Sequence, residues 1–175
     1  MPLPISGSAH EAPAGPDFTW FLYGSSLDRE AFRAWAGEHG YALPDFSRAF
    51  PARLDGWRLS FDVVSRYWGG AVGSLAPDPS ARVEGLALPM PGAARGLAEH
   101  KEGAVSGLYR ATPVSVAPLS GGEPVAAVAF VASPDRRLPS EQPPAPAWLE
   151  AVIRGARTAG LSAGWVAELE GLRGT

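Results

Sequence analysis

Phe18-Thr19-Trp20-Phe21-Leu22-Tyr23-Gly24-Ser25-Ser26-Leu27-Asp28 is the stretch that decides the fold. Its first six residues are rich in aromatics and stop at a glycine, the pattern of a buried strand. Gly24-Ser25-Ser26 then makes a tight loop, because glycine adopts backbone angles that other residues avoid. Asp28 can cap a helix, and Leu27, Ala31 and Trp35 recur every four residues along one helical face. Gly37 and Gly40 mark the end of that helix.

Upstream, residues 1–16 hold Pro, Gly, Ala and Ser without periodicity and read as a flexible tail, leaving 17–175 as one domain. Downstream, strand candidates follow at Arg58–Val63, Gly70–Leu75 and Val83–Leu88. Pro91–Glu102 reads as a short helix with Leu97 and Ala98 inward. Leu108–Val116 is a further strand, and Pro113, which lacks a ladder donor, predicts an edge position or a bulge. Gly121-Gly122 separates Val114–Leu119 from Val125–Val131, a hairpin signal. Residues 134–147 are proline-rich and read as an exposed connection. Trp148, Val152, Ile153 and Ala156 mark an amphipathic helix that Gly160 stops. Ser162 can cap a last helix carrying Trp165, Val166, Leu169 and Leu172. The chain therefore reads as α+β with a mixed, barrel-like sheet flanked by helices.

Composition narrows the chemistry. The chain has 175 residues, 46% of them apolar, and a formal net charge of −3. There is no cysteine, which excludes a disulfide scaffold, a thiol nucleophile and a Cys-based metal site. The three histidines, His10, His39 and His100, are dispersed, which argues against a metal centre. The arginines are scattered and Lys101 is the single lysine, so no nucleic-acid footprint is visible. No apolar run is long enough to span a bilayer and no secretory signal stands at the N-terminus, so the expected location is cytoplasmic. Gly69-Gly70-Ala71-Val72-Gly73 lacks dinucleotide spacing and reads as turn glycines. The nucleophile elbow, phosphate loop and zinc helix signatures are absent.

Two elements carry chemical potential. A loop entering a helix at Tyr23–Leu27 presents unpaired N–H groups that favour an anion, although an ordinary strand-to-helix turn has the same look. Glu102 ends a short helix just before Gly103, where the negative end of the helix disfavours an ionised carboxylate by up to about 1 kcal/mol. A solvated helix end is the alternative reading, and for Glu99, three residues earlier, it is the better one.

Taken together, Tyr23-Gly24-Ser25-Ser26-Leu27 and Glu102-Gly103-Ala104-Val105-Ser106-Gly107-Leu108-Tyr109 resemble the γ-glutamyl cyclotransferase family, in its AIG2-like and BtrG-like forms. That family has a Tyr-Gly-Ser-Asn-Leu-type loop after its first strand and a catalytic glutamate in a Glu-Gly-Val-x-x-Gly-x-Tyr segment. The Arg53–Phe61, Trp68–Ala71 and Trp148–Leu172 segments are also similar, so the resemblance runs from Phe18 to Leu172. It implies a small mixed barrel with no metal and no organic cofactor. It implies a small-molecule γ-glutamyl substrate as the partner, and it leaves room for a homodimer. Glu102 falls on the catalytic glutamate. Tyr23, Gly24, Ser25, Ser26 and Leu27 fall on the substrate loop, and Tyr109 on a pocket tyrosine that donates through its hydroxyl. The implied reaction is attack of a γ-glutamyl α-amine on its own γ-carbonyl, giving 5-oxoproline and a released amine or amino acid. A relative specialised for a γ-glutamylated amine or natural-product intermediate and a non-catalytic binding module are the rival readings. Two departures stand out: Ser26 replaces the common Asn, and His100 and Lys101 interrupt the acidic pattern before Glu102.

Overall fold

The computed structural model describes residues 14–175. Most of the expected tail, with His10, lies outside the described residues. Gly15 is already docked: a side chain on Gly92 would collide with its carbonyl oxygen.

The elements run in the order β1 (Phe18–Leu22), α1 (Arg29–Glu38), β2 (Phe50–Ser65), β3 (Gly70–Met90), α2 (Arg95–Lys101), β4 (Tyr109–Pro118), β5 (Val125–Ala132), α3 (Pro146–Thr158) and α4 (Ala163–Glu170). The strands close into a barrel in the order β1-β3-β2-β4-β5. Pairing is antiparallel except between β1 and β5, which meet in parallel at Trp20 and Val128. The mixed α+β barrel expected from the sequence is the fold. Trp20 anchors its core, with edge-on contacts to Phe32 at 5.8 Å and Phe130 at 6.1 Å between ring centres. Among the described residues, no helix is long and apolar enough to cross a membrane.

Two local readings are revised. The apolar segments Gly70–Leu75 and Val83–Leu88 belong to one strand, β3, paired with β2 almost from end to end. The polar stretch between them broke the sequence pattern, and pairing with β2 runs to Pro77 and resumes at Arg82. The register shift between the pairs Asp55–Arg82 and Trp57–Pro77 sets Gly56, at φ +82°, against the unpaired residues 78–81. On α1, the buried residues are Phe32 and Ala36, one position on from the expected Ala31 and Trp35. The short turn over Ser25–Leu27 inserts before Asp28 and resets the helical phase, which leaves Ala31 and Trp35 for a cavity wall.

Other expectations match. Asp28 caps α1 by accepting from Glu30 N–H, and Ser162 caps α4 by accepting from Trp165 N–H. Leu97 and Ala98 are buried on α2. Pro113 pairs with Val128 on β5, while β4 meets β2 only at Ala117 and Pro118, so the proline lies where β4 has one neighbour. Gly121 and Gly122 turn the β4–β5 hairpin at φ +93° and +108°.

Candidate active site

The segment that follows α2 is fixed by its own backbone. Glu102 is the C-terminal capping residue of α2. Gly103 takes φ +71°, Gly103 N–H donates to His100 C=O at 3.2 Å, and Ala104 N–H donates to Glu99 C=O at 2.8 Å. This paired pattern terminates helices on a left-handed glycine, and it holds Glu102 at a defined corner. The loop beyond it is also pinned, since Leu108 N–H donates to Gly103 C=O at 3.2 Å and Ser133 N–H to Leu108 C=O at 2.9 Å.

The loop after β1 meets this corner from another side. Leu27 N–H donates to Gly24 C=O and Asp28 N–H to Ser25 C=O, both at 3.0 Å, which closes a tight turn. The N–H groups of Gly24, Ser25 and Ser26 find no backbone carbonyl among the described residues. The start of α1 itself is occupied by the buried Asp28 carboxylate, which also pairs with Arg154 at 2.8 Å. Anion-binding capacity therefore rests with the loop and not with the α1 terminus.

Ser26 is the point of contact between the two segments. It is 3% exposed, and its hydroxyl donates to Glu102 Oε1 at 2.6 Å across 76 residues of sequence. A hydrogen bond this short to a carboxylate oxygen is a charge-assisted one.

A cavity of about 370 Å³ opens over this junction. Tyr23, Gly24, Ser25, Glu102 and Tyr109 all line it. Ser26 and Leu27 do not: Ser26 acts on Glu102 from behind, and Leu27 is buried against α3, where Gly155 lets the helix approach. The tyrosine hydroxyls are also committed. Tyr23 donates to Phe130 C=O at 2.5 Å and Tyr109 to Gly73 C=O at 3.0 Å, so the Tyr109 proton is spent on the wall and not aimed at a ligand. Burial, joined by the neighbouring tyrosine and by Glu102, pushes the Tyr23 phenol well up. Burial and then Glu102 do the same for Tyr109. Both rings stay neutral throughout the physiological range.

Several lining residues were not assigned to the site by the sequence reading. Trp35 of α1 and His39, the residue that caps its C-terminus, stack with ring centres 4.4 Å apart, and the i, i+4 spacing was the available signal. His100 packs edge-on to both, and its Nδ1 is 3.0 Å from the Tyr41 hydroxyl. Trp148 of α3 and the turn residues Tyr67 and Trp68 supply further aromatic wall. Lys101 also lines the cavity, with its ammonium 5.5 Å from the ring centres of Phe32 and Trp35. Burial pushes that ammonium down from the usual lysine range, while Glu102 pulls the other way. Among the described residues, no three His, Cys, Asp or Glu side chains gather as a metal site.

The AIG2-like family model matches residues 82–169, half of the chain, including Glu102 and Tyr109 but not the Tyr23–Leu27 loop. The chain belongs to the AIG2-like family. No curated protein matches the sequence. Among solved structures, a γ-glutamyl cyclotransferase aligns at 23% identity and TM-score 0.70, covering 88% of this chain and 86% of its own. An uncharacterised human protein aligns at 22% identity and TM-score 0.71, covering 89% and 88%. A yeast γ-glutamyl cyclotransferase specific to glutathione aligns at 12% identity and TM-score 0.61, covering 90% and 96%. These likenesses establish a shared barrel.

Proposed function

We propose that this protein cleaves a γ-glutamyl amide or peptide by intramolecular cyclisation, releasing 5-oxoproline and a free amine or amino acid, with Glu102 as proton carrier. The observation that carries the reading is the Ser26–Glu102 hydrogen bond at the edge of a cavity that also receives the Gly24–Ser25 backbone. It leaves Glu102 Oε2 without a protein donor among the described residues, ready to accept a proton. Membership of the AIG2-like family and the barrel shared with two cyclotransferases support the same chemistry.

The substrate enters as an ammonium. Glu102 takes one proton from it, and the freed amine attacks the γ-carbonyl carbon, closing a five-membered ring. Effective molarities of about 10⁵ M or more are open to a well-aligned intramolecular attack, so the protein's main task is to fold the glutamyl arm. The N–H groups of Gly24 and Ser25 are suited to the substrate carboxylate or the developing oxyanion. The C–N bond then breaks as Glu102 returns its proton to the departing nitrogen, while the ring nitrogen, which still holds two hydrogens after the attack, loses one to solvent and leaves the lactam with a single N–H. The neutral, carbonyl-bound tyrosines form walls and cannot compete for the proton.

The test uses free and N-acetylated forms of the same γ-glutamyl compounds in ¹⁸O-water. Cyclisation gives unlabelled 5-oxoproline from the free amine and nothing from the acetylated compound. Label in the glutamyl product, or cleavage of the acetylated compound, identifies a hydrolase and rejects the proposal.

A further inference from the structure

We infer, resting on the cyclotransferase reading, that the leaving group of the preferred substrate carries an aromatic ring, held at the cavity mouth by Tyr67 and Trp68.

The cavity is larger than a glutamyl arm needs. At about 370 Å³ it lies within the 300–1,000 Å³ range that accommodates drug-sized ligands. The space beyond the glutamyl part must receive whatever is attached to the γ-nitrogen, and its walls are aromatic. Tyr67 and Trp68 come from the β2–β3 turn, with rings edge-to-face at 84° and centres 5.1 Å apart. Trp35 and the capping His39 come from α1 and its C-terminal end, and His100 from α2.

Tyr67 is 70% exposed and, unlike Trp68, does not pack against the core. The turn does not require it either, since Gly69 at φ +71° supplies the unusual backbone angle. Its exposure is part of a pattern. The large apolar side chains left exposed among the described residues are Val64, Tyr67 and Val105. Val64 and Tyr67 flank Ser65, a cavity residue, and Val105 lies between Gly103 and Leu108, two more. Of these three, Tyr67 itself lines the cavity, the placement expected of a residue at a binding lip. An aromatic ring seated there gains offset or edge-on contacts with Tyr67 and Trp68 and covers surface that is otherwise wet. The ring can belong to an arylalkylamine or to an aromatic amino acid, because Lys101 and the loop N–H groups together offer more than one place for a carboxylate.

The experiment measures kcat/KM for 5-oxoproline release from γ-glutamyl-phenethylamine, γ-glutamyl-phenylalanine, γ-glutamyl-ethylamine and γ-glutamyl-alanine, and Kd for the same four by calorimetry. Each phenyl compound should exceed its small counterpart by roughly tenfold or more. Tyr67→Ala should bring that ratio toward one, and Tyr67→Phe should keep it. Comparison of the two phenyl compounds tells amine from amino acid. Tighter binding of the phenyl compounds without turnover supports the aromatic subsite and rejects the cyclotransferase reading alone. Turnover with a flat ratio rejects the subsite alone. A flat ratio with Tyr67→Ala changing the oligomeric state assigns the lip to a second copy of the chain and overturns the inference.

Discussion

The Ser26 hydroxyl lies 2.6 Å from Glu102 Oε1, and a hydrogen bond to a charged group contributes about 1.5–3 kcal/mol. Part of that contribution is orientation of the carboxylate. Ser26→Ala should therefore lower kcat by roughly 10- to 100-fold with little change in KM, since Ser26 does not face the cavity. Glu102→Gln should cost more, about 10²–10⁴ in kcat, because the amide cannot accept the ammonium proton. The two effects should not add: in the double variant, Ser26→Ala has no carboxylate left to orient. Steady-state kinetics of the two single variants and the double variant check this. An additive double variant would detach Ser26 from Glu102. The same pair explains the departure at position 26. A short side chain that turns back onto the glutamate does not have to reach the substrate.

At the scale of elements, α3 supports the substrate loop by close approach. A Cβ on Gly155 would sit 2.4 Å from the Leu27 carbonyl carbon and 2.6 Å from Asp28 N. Alanine is favoured over glycine in a helix by about 1 kcal/mol, but overpacking against backbone costs about 1–3 kcal/mol. Gly155→Ala should therefore lower Tm and raise KM, because the Gly24–Ser25 N–H groups move with the loop. Gly37 on α1 is the control: nothing lies within 4 Å of its Cβ position, so Gly37→Ala should hold or raise Tm. Thermal melts of the two variants side by side decide the matter, and a Gly155→Ala protein as stable as the wild type would refute the packing argument.

At the scale of the whole molecule, stability should fall in alkali. Tyr23 and Tyr109 hold their protons above the ordinary phenol value of 10.0, chiefly through burial. Above about pH 10 the unfolded chain releases these protons while the folded chain keeps them. The unfolded state then binds fewer protons, so stability present below pH 10 is lost as pH rises, by about 1.4 kcal/mol per pH unit for each tyrosine. Lys101 acts oppositely. Its lowered value imposes a penalty at neutral pH that is relieved as pH climbs toward 10.5. Beyond that point the tyrosines dominate. Urea unfolding at pH 9, 10 and 11 should show the decline, and Tyr109→Phe should reduce its slope. A flat profile would contradict the burial of the two phenols.

The sequence by itself determined the class of fold and marked Glu102 and the loop after β1 as a candidate site. Short-range patterns sufficed for that: the aromatic run ending at Gly24, the helix end before Gly103, the Gly121-Gly122 turn and the cap at Ser162 each record a local backbone need. Glu102 and the loop after β1 were legible locally only as a capping corner and a tight turn, and their joint resemblance to γ-glutamyl cyclotransferase motifs is what marked them as a candidate site. What only the tertiary structure decided is which groups meet. Ser26 and Glu102 are 76 residues apart, and the Tyr109 hydroxyl donates a hydrogen bond to Gly73 C=O, 36 residues away. The phase of α1 depends on a turn of three residues that shifts the buried face by one position. Barrel closure and helix docking set these pairings through non-local packing, and a one-dimensional pattern carries no record of distance between segments that it does not itself connect.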